Sequence, residues 1–239
     1  MHDLISQYEY FCNYPYKLDI YSHLTHPHYL YKARYLLEDT IEFINRHFYY
    51  HSDLLFVRVD MSYKQEYINN LSLAEVQRHR EQLLSDRRNH PQLFHGFIAY
   101  MWVLEYGESG TGYHYHLLLI YDAKVRSSGM AISKQVDDLW SYRITQGMGK
   151  CFLSNRDETK FTALGRRGIG HIHRTDFQLR VNLIERVVAY LLKKSGIFEE
   201  RSGITDSGEF HAFGKTRMPP PIYPHIVRRG RPPVLPLRF

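Results

Sequence analysis

Cysteine is scarce in this chain of 239 residues, which contains two, Cys12 and Cys151. Two thiols make neither a disulfide framework nor a cysteine-based zinc cluster, and they fit a reducing cytoplasm. No hydrophobic run approaches the roughly 20 residues that a membrane span needs. The first residues include Asp3 and Glu9 and lack an apolar signal core, so the expectation is a chain neither exported by such a signal nor membrane-spanning. No Gly-x-x-x-x-Gly-Lys-Ser/Thr element is present to cradle a nucleoside triphosphate, and no repeat or low-complexity tract appears. Charge of one sign is not extreme: the net charge is +6 and the pI near 9.2. Such an excess points to an anionic partner only together with motifs, because a merely solvated basic surface has the same composition. Apolar residues make up 44% of the chain, enough for one substantial core with appendages.

Histidine and tyrosine are abundant, at 15 and 20 residues. At that density chance alone yields about one His-x-His pair. Three are present: His26-Pro-His28, His114-Tyr-His116 and His171-Ile-His173. The first lies in a Pro-bearing loop that fixes no ligand geometry. The second lies in an apolar run, Trp102 to Ile120, broken by a glycine-rich turn. Side chains alternate faces along a strand, so His114 and His116 project together. A chain reversal about Ser109-Gly110 sets Glu105 opposite His114, with Cβ atoms roughly 4.5 to 5.5 Å apart. Two imidazoles and one carboxylate on a rigid hairpin leave coordination positions open, which suits a catalytic cation better than a closed structural one. The third pair follows Gly168-Ile-Gly170 and competes for the metal, as a zinc-dependent hydrolase built on His171 and His173 would require.

A tyrosine with basic neighbours follows downstream. Asn182 to Gly196 reads as a helix, with Asn182 as N-cap, Glu185 at the capping-box position, an apolar stripe at 183, 184, 187, 188, 191 and 192, and Gly196 as terminator. Lys193 and Lys194 lie three and four residues after Tyr190 and share its side. A phenol ionises near pH 10, so an attacking phenolate needs positive charge nearby, from lysine or a metal. Tyr14, Tyr29 and Tyr121 also have a lysine three residues on, and a helical tyrosine is commonly a packing residue. Tyr190 alone stands within an amphipathic helix that follows the His-x-His hairpin.

The remaining periodicities predict an irregular segment over 1–30, a helix over 32–48, a strand at 54–59, a helix at 73–88, strands at 97–106 and 113–121, a helix at 132–143, a polar connector over 147–167 and a strand at 168–175. The order β-α-β-β-α-β indicates an α+β fold, a ferredoxin-like antiparallel sheet with helices on one face. The expected organisation is an N-terminal segment and packing helix over 1–50, a core domain over 51–214 and a basic, Pro-rich tail over 215–239. In that tail Arg229-Gly-Arg-Pro232 is similar to the core of an AT-hook, and Arg228, Arg229 and Arg231 equally serve a generic phosphate-binding or solubilising tail.

Phe56-Val-Arg-Val-Asp60, Glu105 with His114-Tyr-His116, Leu139-Trp140 leading to Ile144-Thr-Gln-Gly-Met-Gly149, Gly168-Ile-Gly170 and Tyr190-Leu-Leu-Lys193 occur in that order. The set resembles the HUH endonucleases that initiate rolling-circle DNA replication, and more narrowly the inovirus-type, YagK/YfjJ-like replication proteins of filamentous phages and prophages. The resemblance implies the HUH/Rep fold, Mg²⁺ or Mn²⁺ held by His114, His116 and Glu105, Tyr190 as nucleophile and Lys193 as its assisting base, with Lys194 an alternative. It implies a site-specific nick in single-stranded origin DNA that leaves a 5′-phosphotyrosine and a free 3′ hydroxyl, followed later by rejoining. Arg58, Lys194 and the tail arginines are the expected DNA contacts. Host helicase, polymerase and single-strand-binding protein are the implied partners, in the cytoplasm of a bacterial host. A plasmid relaxase or transposase, or a non-catalytic prophage DNA-binding regulator, are the alternatives.

Overall fold

A computed structural model describes residues 2–17, 27–85, 87–107, 111–193 and 211–222. Lys194, Arg228, Arg229, Arg231, the turn residues 108–110 and the expected helix terminator Gly196 lie outside the described residues. Helices α1 (His2–Cys12) and α2 (Pro27–Tyr50) precede β1 (Asp53–Tyr63), α3 (Leu73–Ser85) and the single turn α4 (Pro91–Phe94). The hairpin β2 (Phe97–Gly107) and β3 (Gly112–Asp122) follows, then α5 (Gly129–Asp138), which runs on as π-helix over Leu139–Ile144. After β4 (Gly149–Leu153) come α6 (Glu158–Ala163), β5 (Gly170–His173), α7 (Phe177–Asn182) with a π-helical continuation over Leu183–Val188, and β6 (Phe213–Lys215).

The six strands form one sheet in the order β4-β1-β3-β2-β6, with β5 also on β1, and every pairing is antiparallel. This is the α+β antiparallel sheet that the pattern predicts. Two strands share the outer edge of β1: β5 pairs with residues 53–56 and β4 with 59–63. The gap between them is filled by a side chain. Buried Asn155 accepts from the Arg58 N–H at 3.0 Å and donates to the Phe56 carbonyl at 3.3 Å, replacing the missing strand's hydrogen bonds.

Helices α3 and α5 pack on the face of Val57, Val59, Met61, Tyr115, Leu117 and Leu119. The opposite face, expected to be open, is covered by α2 and α7 where Leu54, Phe56, Leu118 and Ile120 point. Apolar residues at successive positions of β1 and β3 require cover on both sides. Beyond that cover the same face carries Arg58, Asp60 and His116.

Three local expectations change. Residues 2–12 are helical rather than irregular, because Phe11 is buried beneath the guanidinium of Arg180, 3.4 Å from its ring centre. Burial of that guanidinium, donating to Asn45 Oδ1 at 2.8 Å, ties α1, α2 and α7 together. The connector 147–167 contains β4, a strand too short to show alternation, together with α6. The Tyr190 helix begins at Phe177, so Asn182 is not its cap. Instead the buried Asn182 amide donates to the carbonyls of Gly165 and Arg167 at 3.1 and 2.9 Å, and Glu185 accepts from the N–H of Lys17 at 2.6 Å. The expected stripe from 183 to 192 is buried throughout. Its apolar pairs recur every four residues, and i→i+5 bonding over Leu183–Val188 winds the helix widely enough to keep them facing the sheet.

Residues 215–222, the start of the expected tail, lie along the domain. Lys215 belongs to β6 and its Nζ meets Asp39 at 3.1 Å, while Arg46 and Tyr50 donate to the carbonyls of Pro219 and Pro220. Among the described residues no helix is long and apolar enough to cross a membrane.

Candidate active site

The hairpin register pairs Glu105 with His114, as alternation and the position of the turn predict. His116 pairs with Asp60 on β1 and with Val103 on β2, so its ring sits in the middle of the sheet face. It is 6% exposed. Its Nε2 is 2.9 Å from Glu105 Oε2 and its Nδ1 is 2.9 Å from Asp60 Oδ1, so one imidazole bridges two carboxylates. The Nδ1 contact is close but is not aligned as a hydrogen bond. Asp60 also receives two parallel donations from Arg58, both at 2.9 Å.

Burial opposes charge on His116, but the negative charge of Asp60 beside Nδ1 and the Glu105 carboxylate bonded to Nε2 outweigh it and raise its pKa. Burial works the same way against Asp60, and there His116 and Arg58 prevail and lower the carboxyl's pKa. His114 goes the other way: burial, with His116 and Lys150 nearby, lowers its pKa despite Glu105. The pair of histidines therefore divides into one ring held towards the charged form and one towards the neutral, ligand-competent form.

Tyr190 comes to this cluster from a helix more than seventy positions later in the chain. Its ring centre is 5.9 Å from that of His116, edge to face, and the Arg58 guanidinium carbon is 5.0 Å from the same phenol ring. The tyrosine is 39% exposed, so solvent or a ligand reaches it from the open side. Lys193 is half-buried one turn further along the same helix. The structure thus brings together Arg58, Glu105, His114, His116 and Tyr190.

His171 and His173 are elsewhere. They pair with Leu55 and Asp53 at the start of β1, on the opposite sheet face and roughly 20 Å along the strand from Asp60. His171 bonds Asp53 at 3.0 Å and His173 bonds Thr175 at 2.6 Å. Sequence reasoning missed Asp60 as a site residue. The signal was available in strand parity, which sets Arg58 and Asp60 on one face of an otherwise apolar strand, but parity alone does not say that this face meets His116.

Among the described residues, no three His, Cys, Asp or Glu side chains are disposed as a ready-made metal site. The donor chemistry nevertheless fits a divalent cation. His116 Nε2 and Glu105 Oε2, a nitrogen and an oxygen donor of the kinds a divalent cation takes, lie 2.9 Å apart. His114 neighbours Glu105 across the register. Asp60 at the far nitrogen of His116 is the carboxylate partner that metal-binding histidines commonly have. His116 and Glu105, with His114 beside them across the register, are the residues that would hold such a cation.

A family model described as replication-associated protein ORF2 matches residues 57–195, more than half of the chain, from the middle of β1 to just beyond Tyr190. No curated protein and no solved structure matches.

Proposed function

The chain belongs to this replication-associated protein family, which supports a role as a replication initiator acting on DNA; from that premise we propose that it nicks and rejoins single-stranded origin DNA through Tyr190, as an HUH-type initiator of rolling-circle replication in a filamentous phage or prophage. The observation that carries this reading is the placement of a half-exposed phenol against His116 by two elements remote in sequence.

In the proposed reaction the Tyr190 oxygen forms a bond to phosphorus as the bond from phosphorus to O3′ breaks. The phenolic proton is lost, with Lys193 assisting, and the departing O3′ gains one. The 5′ end is left on the tyrosine and a 3′ hydroxyl is free to prime synthesis. Because the phosphodiester is exchanged for a phosphotyrosyl ester rather than hydrolysed, the strand can later be rejoined at the same site. Arg58 lies against the tyrosine ring and supplies positive charge beside the incoming phosphate. Glu105, His114 and His116 would hold the Mg²⁺ or Mn²⁺, which when bound withdraws charge from the phosphate oxygens. Asp60 holds Arg58 through two parallel hydrogen bonds and sets its negative charge beside His116 Nδ1. Unwinding and polymerisation fall to host helicase, polymerase and single-strand-binding protein, in the bacterial cytoplasm.

The test is a denaturing gel of the protein incubated with labelled single-stranded element DNA and Mn²⁺. Wild type is expected to give a denaturation-resistant protein-DNA band and a shortened strand, and Tyr190→Phe to bind the DNA equally and give neither. If both proteins bind and neither forms the band, the chain is a non-catalytic DNA-binding regulator.

A further inference from the structure

Beside the site, on the edge strand β4, stands an aromatic side chain that the fold does not use. Phe152 is 59% exposed, though it lies in a strand of the central sheet. Its register partner is Asp60, and the register partner of Asp60 on the other side is His116. Directly paired residues point to the same face. Phe152, Asp60 and His116 therefore form one row across three strands on the site's face, with Phe152 about 10 Å from His116 at the spacing of neighbouring strands. Lys150, two residues before Phe152, is exposed on the same face and pairs with Ser62.

An exposed phenylalanine beside a lysine, continuous with a phosphate-handling site, matches one ligand chemistry. A nucleobase without a pairing partner offers a π-face for the ring, and its backbone offers the negative charge for the ammonium. The row spans a distance that a few nucleotides cover. A base in a duplex has both its faces stacked, so only a single strand fits. Phe152 and Lys150 do not belong to the phenol, carboxylate and imidazole set described above.

We propose that Phe152 and Lys150 form a subsite for single-stranded DNA next to the cleaved phosphate, with Phe152 stacking on one unpaired base and Lys150 holding the adjoining backbone. This rests on the reading of the neighbouring site as one that acts on single-stranded DNA. The subsite selects strand state rather than sequence, because every base has a π-face.

The test is fluorescence anisotropy with the full chain in EDTA, comparing a short thymidine oligonucleotide with an abasic strand of the same length. Wild type should bind the thymidine strand more tightly. Phe152→Ala should weaken that binding by about 5- to 150-fold, leave the abasic strand nearly unchanged, and melt at the wild-type temperature. Phe152→Trp should keep the preference. Lys150→Gln should lower the slope of log K against log salt by about 0.7 on both strands. Equal losses on both strands for Phe152→Ala, or no loss on either, would overturn the subsite. If the stacking preference appears but no tyrosine adduct ever forms with Mn²⁺, the nicking assignment fails and the single-strand subsite stands; if the adduct forms without the preference, the subsite alone fails.

Discussion

Gly168, just before β5, packs against the backbone of the helix that presents Tyr190, and a single methyl group there tests how tightly that presentation is set. A Cβ built on Gly168 would lie 2.7 Å from the Asn182 carbonyl oxygen, 2.8 Å from its carbon and 2.9 Å from the Leu183 nitrogen. These are helix backbone atoms at the junction of α7 with its π-helical continuation, so no rotamer change relieves the clash. Ordinary contact requires about 3.5 Å, so Gly168→Ala must push the helix outward by about 0.7 Å. Overpacking of that kind costs about 1–3 kcal/mol, or a fall of very roughly 2–10 °C in Tm for a domain of this size. Tyr190 moves with the helix, and a misplacement approaching 1 Å in a reacting group can lower the rate by about 100-fold. Binding of single-stranded DNA, which does not depend on in-line geometry, should change little. Thermal melts, anisotropy and single-turnover cleavage on a denaturing gel measure the three quantities separately. A variant with wild-type Tm and wild-type cleavage would refute the close approach; reduced Tm with an unchanged rate would show that the helix position is not what limits chemistry.

Two further outcomes concern the frame that carries the site. His47 in α2 is buried with Nε2 unpartnered among the described residues, and burial, with His51 and Lys215 nearby, pushes its pKa down to about 3. The unfolded chain takes up this proton below about 6.5 while the native state resists until about 3, so stability is full above that window and is lost as pH falls through it, by about 2 kcal/mol at pH 5. His47→Phe should flatten this acid limb in urea melts at pH 7 and 5; an unchanged difference between the two would disprove the assignment. Asn155→Ala removes both hydrogen bonds that bridge the gap between β5 and β4, which should cost about 2–3 kcal/mol and raise amide exchange at Arg58; wild-type protection there would count against the bridge.

Much of this geometry was legible in the sequence because it depends on period. Two-residue alternation placed His114 and His116 on one face, and the chain reversal expected about Ser109-Gly110 predicted the pairing of Glu105 with His114 that the sheet shows. The apolar pairs from 183 to 192 gave the buried face of the tyrosine helix and left Tyr190 on its flank. What was not legible depends on contacts between distant elements. Asp60 becomes a site residue only when β1 pairs with β3, and Phe152 becomes a neighbour of the site only when β4 pairs with β1. The start of the tyrosine helix was misplaced because Asn182, an ordinary capping residue by type, spends its amide on the carbonyls of a distant turn. Helix α1 escaped notice because it is secured by packing on Arg180 rather than by its own pattern.

The central claim is that the phenol beside His116 becomes covalently joined to DNA. After reaction with single-stranded element DNA and Mn²⁺, nuclease trimming and proteolysis, mass spectrometry should find a 5′-phosphonucleotide on the peptide containing Tyr190 and on no other tyrosine peptide. A nucleotide on a different tyrosine, or cleaved DNA bearing a free 5′ phosphate with every tyrosine unmodified, would contradict it.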